Sequence, residues 1–235
     1  MNKNIMDIKK GDLADNPTTR VPICILLDTS GSMEGEAISE LNKGIRLFIE
    51  ELQSDVLTLY SADVCIITFG GDVRIIKDFG PLEGFNVETF SAQGLTPMGE
   101  AVTRGLELLS ERKEQFKEQM IAYFQPWLVL MTDGVPTSPD WVSSAREVSM
   151  LVNSKKLVIF PVATGDNVDM NILKKFSPNK DPLKLKGLKF KPFFQWLSAS
   201  VSQLSQSVPG EEVKLDIKGI ATWAEDGLDG LFGDD

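Results

Sequence analysis

A carboxylate and two hydroxyls follow an apolar run near the start of the chain, in the stretch ICILLDTSGSM. Asp28, Ser30 and Ser32 stand at every second position, and in an extended backbone side chains at that spacing point the same way. All three side chains offer oxygen atoms, and none offers nitrogen or sulfur. The pattern predicts a cluster of hard oxygen ligands, the kind of site that binds Mg²⁺ or Mn²⁺.

Two more oxygen-bearing side chains are placed where they could join this cluster. Thr96 lies in GLTPMGE, just before a predicted helix, and Asp133 closes the apolar run LVLMTD. In open α/β sheets, ligands bind beyond the carboxyl ends of the strands, where loops from successive strands converge. We therefore expect one metal site, built from Asp28, Ser30, Ser32, Thr96 and Asp133.

Each of these residues also has a simpler interpretation. Thr96 and Ser32 are suited to cap the helices that follow them, because a hydroxyl can accept a hydrogen bond from a free helix N–H. Asp133 with Gly134 is a common turn. A cap or a turn explains one residue at a time, whereas a metal site explains all five, so we favour the metal site.

Composition excludes several classes of function. The chain has 235 residues, 42% of them hydrophobic, which suits one domain with its own core. Its formal charge of −10 opposes binding to nucleic acid or to an anionic membrane surface. Histidine is absent, which excludes a Ser-His-Asp triad and histidine-based zinc sites.

The two cysteines and the apolar segments bear on location. Cys24 and Cys65 each lie in an apolar run, so we expect buried, reduced thiols rather than a disulfide. No stretch has the apolar length of a membrane span, and the first residues lack the apolar core of a secretory signal. These features predict a cytoplasmic protein.

Apolar runs alternate with segments of helical period, the pattern of an α/β protein with a largely parallel sheet. The turn Gly70 to Asp72 leads at once into VRIIKDF, and so short a connection predicts an antiparallel edge strand. The apolar runs predict buried strands at 21–28, 62–69, 127–133 and 156–164. The helical periods predict helices at 38–52, 96–109, 138–152 and 190–204.

Three motifs carry a resemblance to a known family. LLDTSGSM, GLTPMGEA and LMTDGVPT, in that order, closely resemble the metal-ion-dependent adhesion site of von Willebrand factor type A (VWA) domains. The resemblance extends from about Val21 to Ser207. It implies a Rossmann-like VWA fold: a mostly parallel central sheet with one antiparallel edge strand, and helices on both faces. We expect an N-terminal extension at 1–19, this domain at 20–207 and an acidic tail at 208–235.

The resemblance also implies how the site works. Ser30, Ser32 and Thr96 would bind the metal directly, and Asp28 and Asp133 would hold it mainly through water. The open vertex of the metal would accept a carboxylate from a protein partner. The expected function is thus a metal-dependent interaction module that uses Mg²⁺ or Mn²⁺ and catalyses no reaction.

A second resemblance lies near the C-terminus. FKPFFQWLSASVSQLSQS and the following PGEEVKL resemble the end of bacterial tellurite-resistance-type members of the family. This resemblance implies a role in bacterial stress-response or defence signalling. It also implies a kinase or a phosphatase of the same system among the partners.

An enzyme is the main alternative. An aspartate after a first strand, together with Mg²⁺, also describes haloacid-dehalogenase-type phosphatases, but that motif needs a second aspartate where this chain has Ser30. No lysine or histidine stands beside the motifs to act as an acid or base. A nucleotide-binding loop is excluded, because neither G-x-x-x-x-G-K-[ST] nor a G-x-G-x-x-G after a strand is present.

The tail WAEDGLDGLFGDD places Leu228, Leu231 and Phe232 in an acidic setting. One interpretation is a solvated end, and another is a peptide that docks on a basic partner or on a second copy of the chain. The docking interpretation predicts that deleting the residues after Thr222 leaves the melting temperature and metal binding unchanged and weakens a complex or self-association.

Overall fold

The computed structural model describes residues 13–165, 168–210, 213, 215–216 and 219–225. Within them, six strands form one sheet: β1 (Val21–Asp28), β2 (Ala62–Gly70), β3 (Asp72–Lys77), β4 (Trp127–Thr132), β5 (Val158–Ala163) and β6 (Leu183–Lys184). Their order is β3-β2-β1-β4-β5-β6. The β2–β3 pair is antiparallel and the other pairs are parallel, which confirms the predicted sheet and its edge strand.

In the same part of the chain, six α-helices cover the sheet: α1 (Glu36–Ser54), α2 (Val56–Ser61), α3 (Met98–Glu118), α4 (Trp141–Asn153), α5 (Met170–Phe176) and α6 (Phe190–Ser205). The four longer helices are those that the apolar periods predict. The sequence analysis missed α2 and α5, because helices of six and seven residues are too short to show an apolar stripe. Each of the two begins after an aspartate cap, Asp55 and Asp169.

The helices lie on both faces of the sheet, as predicted. Alternate residues of β1 separate two apolar cores. Ile23, Ile25 and Leu27 pack in one core with α1 and α6, and Cys24 and Leu26 pack in the other with α3, α4 and α5. Because β1 is buried on both faces, its carboxyl end has one open direction, beyond the edge where the loops converge.

Cys24 and Cys65 are free, buried thiols that face each other across β1 and β2. Burial raises the pKa of the Cys65 thiol well above its usual value. The prediction of buried thiols without a disulfide is confirmed. No helix in the described ranges is both long and apolar enough to cross a membrane.

A buried ion pair fixes α3 against the sheet. Arg112 Nε donates to Asp63 Oδ2 at 2.7 Å, and each side chain is 1% exposed. Asp63 Oδ1 also accepts a hydrogen bond from the Gly80 N–H at 2.9 Å. The pair thus joins the second half of α3 to the amino end of β2.

Residues 219–225 pack against the domain, although they belong to the predicted tail. Trp223 is 5% exposed and, with Ile220 and Ala224, joins the core that contains α6. The Lys186 N–H donates to the Trp223 carbonyl at 2.8 Å, and the Glu225 N–H donates to the Lys184 carbonyl at 2.8 Å. The predicted docking residues Leu228, Leu231 and Phe232 lie outside the described residues.

This packing changes the expected effect of truncation. A chain that ends at Thr222 loses the buried Trp223 and Ala224, so we now expect a loss of roughly 3 to 5 kcal/mol in the free energy of unfolding. A chain that ends at Glu225 keeps both residues and should melt like the full chain. Differential scanning fluorimetry on the two truncations decides the matter. Equal melting temperatures for both would mean that Trp223 adds nothing to the core.

Candidate metal centre

The site is built first from the end of β1. Asp28 is the last residue of β1 and is 0% exposed. Its Oδ1 accepts a hydrogen bond from the Ser30 N–H at 2.8 Å, which turns the chain just after the strand. The Ser30 side chain is also buried. The strand therefore delivers a carboxylate and a hydroxyl to the carboxyl edge of the sheet.

Ser32 reaches the site in a different way from the one expected. The extended backbone ends at Ser30, and Gly31–Met33 form a single turn of 3-10 helix. This turn still brings the Ser30 and Ser32 hydroxyl oxygens to 3.1 Å from each other. The predicted neighbours are correct, but a helical turn rather than strand alternation makes them neighbours.

Asp133 closes the site from β4. It is half-buried, and its Oδ1 accepts a hydrogen bond from the Ser32 hydroxyl at 2.7 Å. The preceding residue, Thr132, is fully buried and donates its hydroxyl to Asp28 Oδ2. Sequence reasoning missed Thr132, although a hydroxyl at the end of an otherwise apolar strand was a usable signal.

The loop before α3 brings Thr96 to the same place. Backbone hydrogen bonds tie this loop to the ends of β1 and β2: Gln93 N–H to Thr29 O (2.8 Å), Gly31 N–H to Gly94 O (3.0 Å) and Gly71 N–H to Leu95 O (2.7 Å). A methyl group placed on Gly134 would lie 3.6 Å from Ser32 Oγ and 3.8 Å from Thr96 Oγ1. The two hydroxyls thus face the same small space from separate loops.

Gly94 is the tightest point of this assembly. Its φ is +69°, a left-handed conformation that side chains disfavour. A methyl group there would also lie 2.4 Å from the Gly71 Cα. Glycine is therefore required at position 94 for two reasons: the backbone conformation and the close contact with Gly71 after β2. Gly94 opens the motif GLTPMGE, but its sequence neighbours do not reveal this constraint.

The capping interpretations do not fit the geometry. The residue that precedes α1 as its N-cap is Gly35, and the N-cap of α3 is Pro97. Neither helix start has a side-chain capping hydrogen bond. Among the described residues, the Thr96 hydroxyl has no hydrogen-bond partner, so its oxygen is free to bind a metal.

Burial makes the two carboxylates unusually hard to ionise. Burial raises the pKa of Asp28 to about 6, although hydrogen bonds from Ser30 and Thr132 offset part of this effect, and the charge of Asp133 adds to it. Burial also raises the pKa of Asp133, although the hydrogen bond from Ser32 lowers it in part. Two carboxylates that are poorly stabilised as anions create a site that favours a cation.

The donor set suits a hard cation. Within the described residues, no group of three or more His, Cys, Asp or Glu side chains is placed to hold a metal, so a metal would need hydroxyl ligands. Two carboxylates and three hydroxyls converge here from three loops, and oxygen ligands of this kind match Mg²⁺ and Mn²⁺. The residues present therefore fit the predicted ion.

Comparison with known proteins identifies the family. The family model of the von Willebrand factor type A domain matches residues 23–186, which is more than half of the chain. The chain belongs to the von Willebrand factor type A family. The match includes every predicted site residue, and it confirms the resemblance that the three motifs carry. A comparison with curated protein sequences gives no match.

Solved structures share the VWA fold at low sequence identity. A von Willebrand factor type A protein from Catenulispora acidiphila has a TM-score of 0.60 and 15% identity, over 79% of this chain and 43% of that chain. BatB from Bacteroides thetaiotaomicron, described as a conserved hypothetical protein, has a TM-score of 0.53 and 17% identity, over 80% of this chain and 100% of that chain.

A third solved structure is described with a metal. It is proximal thread matrix protein 1 from the mussel byssus with a zinc-occupied MIDAS motif, at a TM-score of 0.52 and 14% identity, over 79% of this chain and 48% of that chain. The chain spans less than half the length of the mussel and Catenulispora structures. At these identities, the likeness establishes the fold.

Proposed function

We propose that this VWA chain is a metal-dependent protein-interaction module. The observation that carries the proposal is the convergence of five oxygen-bearing side chains from three loops, joined by the hydrogen bonds Ser30–Ser32 and Ser32–Asp133. Ser30, Ser32 and Thr96 would bind Mg²⁺ or Mn²⁺ directly, and Asp28 and Asp133 would hold it mainly through water. The zinc-occupied MIDAS motif described for the mussel protein supports the presence of a metal at this site.

The chemistry of the ligands suggests the class of partner. Neutral hydroxyls in the direct positions leave most of the positive charge of the ion uncompensated, so the ion would attract an anionic oxygen. Leu95 and Val135 are exposed large apolar side chains, and each is adjacent in sequence to a site loop residue, Thr96 or Gly134. A partner carboxylate with an aliphatic neighbour would suit this surface.

Absence of turnover is part of the proposal. The chain has no histidine, and the ionisable groups assigned to the site are two carboxylates that would be engaged with the metal. A screen for phosphatase and ATPase activity with Mg²⁺ or Mn²⁺ tests the alternative of a phosphoryl-transfer enzyme. Turnover that disappears in an Asp28→Asn variant would contradict an interaction module.

The biological setting is also proposed. The C-terminal resemblance to tellurite-resistance-type proteins supports a bacterial stress-response or defence system, with a kinase or phosphatase among the partners. Two free thiols fit a reducing compartment such as the cytoplasm. Self-association through the tail remains a proposal, and sedimentation of the full chain against a chain that ends at Glu225 tests it.

We expect the Thr96 hydroxyl to contribute to metal affinity. Thr96→Val keeps the shape of the side chain and removes the oxygen, and it should weaken Mn²⁺ binding roughly tenfold or more, measured by titration calorimetry. Thr96→Ser keeps the oxygen and should bind nearly as well as the wild type. If valine and serine variants bind alike, Thr96 is not a ligand.

The same pair of variants tests the link to a partner. Chelation by EDTA should weaken the complex with a purified partner, and Thr96→Val should imitate chelation while Thr96→Ser does not. A complex that survives both EDTA and Thr96→Val would show that the partner uses another face of the domain.

A further inference from the structure

A groove lies between the edge strand β3 and the outer face of α3. Its volume is about 650 Å³. Two aliphatic side chains of β3 and several charged side chains of α3 and the start of α4 line it: Val73, Ile75, Glu100, Arg104, Glu107 and Asp140. None of these residues belongs to the candidate metal centre, so the groove is a separate surface.

The backbone of β3 is suited to pair with another chain. In the described part of the chain, β3 has β2 on one side and no strand on the other. An edge strand carries N–H and C=O groups that point away from the sheet and can pair with an added strand. On the added strand, every second side chain would point toward α3, into the groove.

The side chains define what the groove accepts. Its floor is aliphatic, with Ile75 40% exposed. On its walls, Arg104 donates to Glu107 at 2.9 Å, but the Glu100 and Asp140 carboxylates have no ion pair with any described residue. A lysine or arginine at every second position would cover the floor with its methylene groups and place its charge near these two carboxylates.

The charge of the molecule favours a partner over a second copy. With a formal charge of −10, two copies repel each other at long range, and a basic segment is attracted. We propose that this groove binds an extended, basic segment of a partner protein, which adds to β3 as a seventh strand. This binding needs no metal. It can therefore be tested independently of the proposed interaction at the metal centre.

The test uses the full chain, in EDTA and at low salt, with two synthetic peptides. The first is four repeats of Thr-Lys and the second is four repeats of Thr-Glu, each with capped ends. NMR titration should show saturable shifts of the β3 amides and of the α3 amides near Thr103 with the lysine peptide. The glutamate peptide should cause no such shifts.

Variants identify the residues responsible. Glu100→Gln combined with Asp140→Asn should weaken lysine-peptide binding roughly three- to tenfold, because it removes two exposed charge contacts. Glu114→Gln removes one charge from an ion pair with Lys117 on the same helix, outside the groove, and should have no effect. If the double variant is unstable, Ile75→Lys can replace it in the test. This variant places a cation in the groove and should weaken binding of the lysine peptide.

Several outcomes would overturn the proposal. Among them are no saturable binding, equal binding of the two peptides, shifts confined to other surfaces, and unchanged affinity of a folded groove variant. Sedimentation of the wild type without peptide tests whether a second copy of the chain occupies the groove instead. Self-association that the groove variants abolish would assign the groove to a second copy of the chain.

Discussion

An Asp28→Asn variant should lose most of its metal affinity and yet melt at a higher temperature than the metal-free wild type at pH 8. Asparagine keeps an oxygen to accept the Ser30 N–H, and the Thr132 hydroxyl can rotate to meet the amide. The substitution removes a buried negative charge that the folded protein stabilises poorly. The loss of a carboxylate that holds the metal through water should cost roughly 10- to 100-fold in affinity.

The size of the stability effect follows from the pKa. Burial raises the pKa of Asp28 from 3.8 to about 6, so its ionisation costs the folded state about 3 kcal/mol at pH 8. Because the folded-state pKa is the higher one, this cost is absent below about pH 4, grows as the pH rises through 6, and is complete above it. The variant should thus melt roughly 6 to 12 °C higher at pH 8 and nearly equally at pH 4.

Scanning fluorimetry across this pH range, on protein freed of metal by chelation and desalting, measures the stability effect. Titration calorimetry with Mn²⁺ measures the affinity. Asp55→Asn is a matched control, since it makes the same change of charge. Hydrogen bonds from Thr58 lower the pKa of Asp55, so the folded protein stabilises the charge that this variant removes. That control should keep its metal affinity and gain no stability. Equal calorimetric heats for wild type and Asp28→Asn would exclude Asp28 from the site.

A Gly94→Ala variant should destabilise the protein and disturb the metal centre together. The methyl group would require a left-handed alanine and would meet the backbone of Gly71 at 2.4 Å. The expected cost is roughly 2 to 4 kcal/mol, the sum of the conformational and the steric penalties. Any shift that relieves the contact moves the loop that carries Thr96, so the affinity for Mn²⁺ should fall as well.

Gly84→Ala separates the two penalties. Gly84 has nearly the same φ, +70°, but a methyl group there has nothing within 4 Å. This control should cost about 1 kcal/mol and leave Mn²⁺ affinity unchanged. Chemical denaturation and calorimetry on both variants provide the comparison. If Gly94→Ala is no more harmful than Gly84→Ala, the contact with Gly71 does not hold the loop in place.

The sequence by itself determined the class of fold and the candidate residues. Apolar runs such as 21–28 and helical periods such as 190–204 are local signals, and they predict the main strands and the longer helices. The turn after Gly70 is too short for anything but an antiparallel neighbour, and β3 confirms it. The motif order placed the five site residues on three loops, and the structure brings these loops together; their role as ligands stays a prediction.

Only the tertiary structure decided how those residues meet and what else surrounds them. The Thr96 and Ser32 hydroxyls both lie beside Gly134 because backbone hydrogen bonds tie the Thr96 loop to the ends of β1 and β2. Such contacts depend on the relative position of distant segments. Thr132 becomes a partner of Asp28 for the same reason. The packing of Trp223 and the groove beside β3 also arise from contacts between segments far apart in sequence, which local composition does not encode.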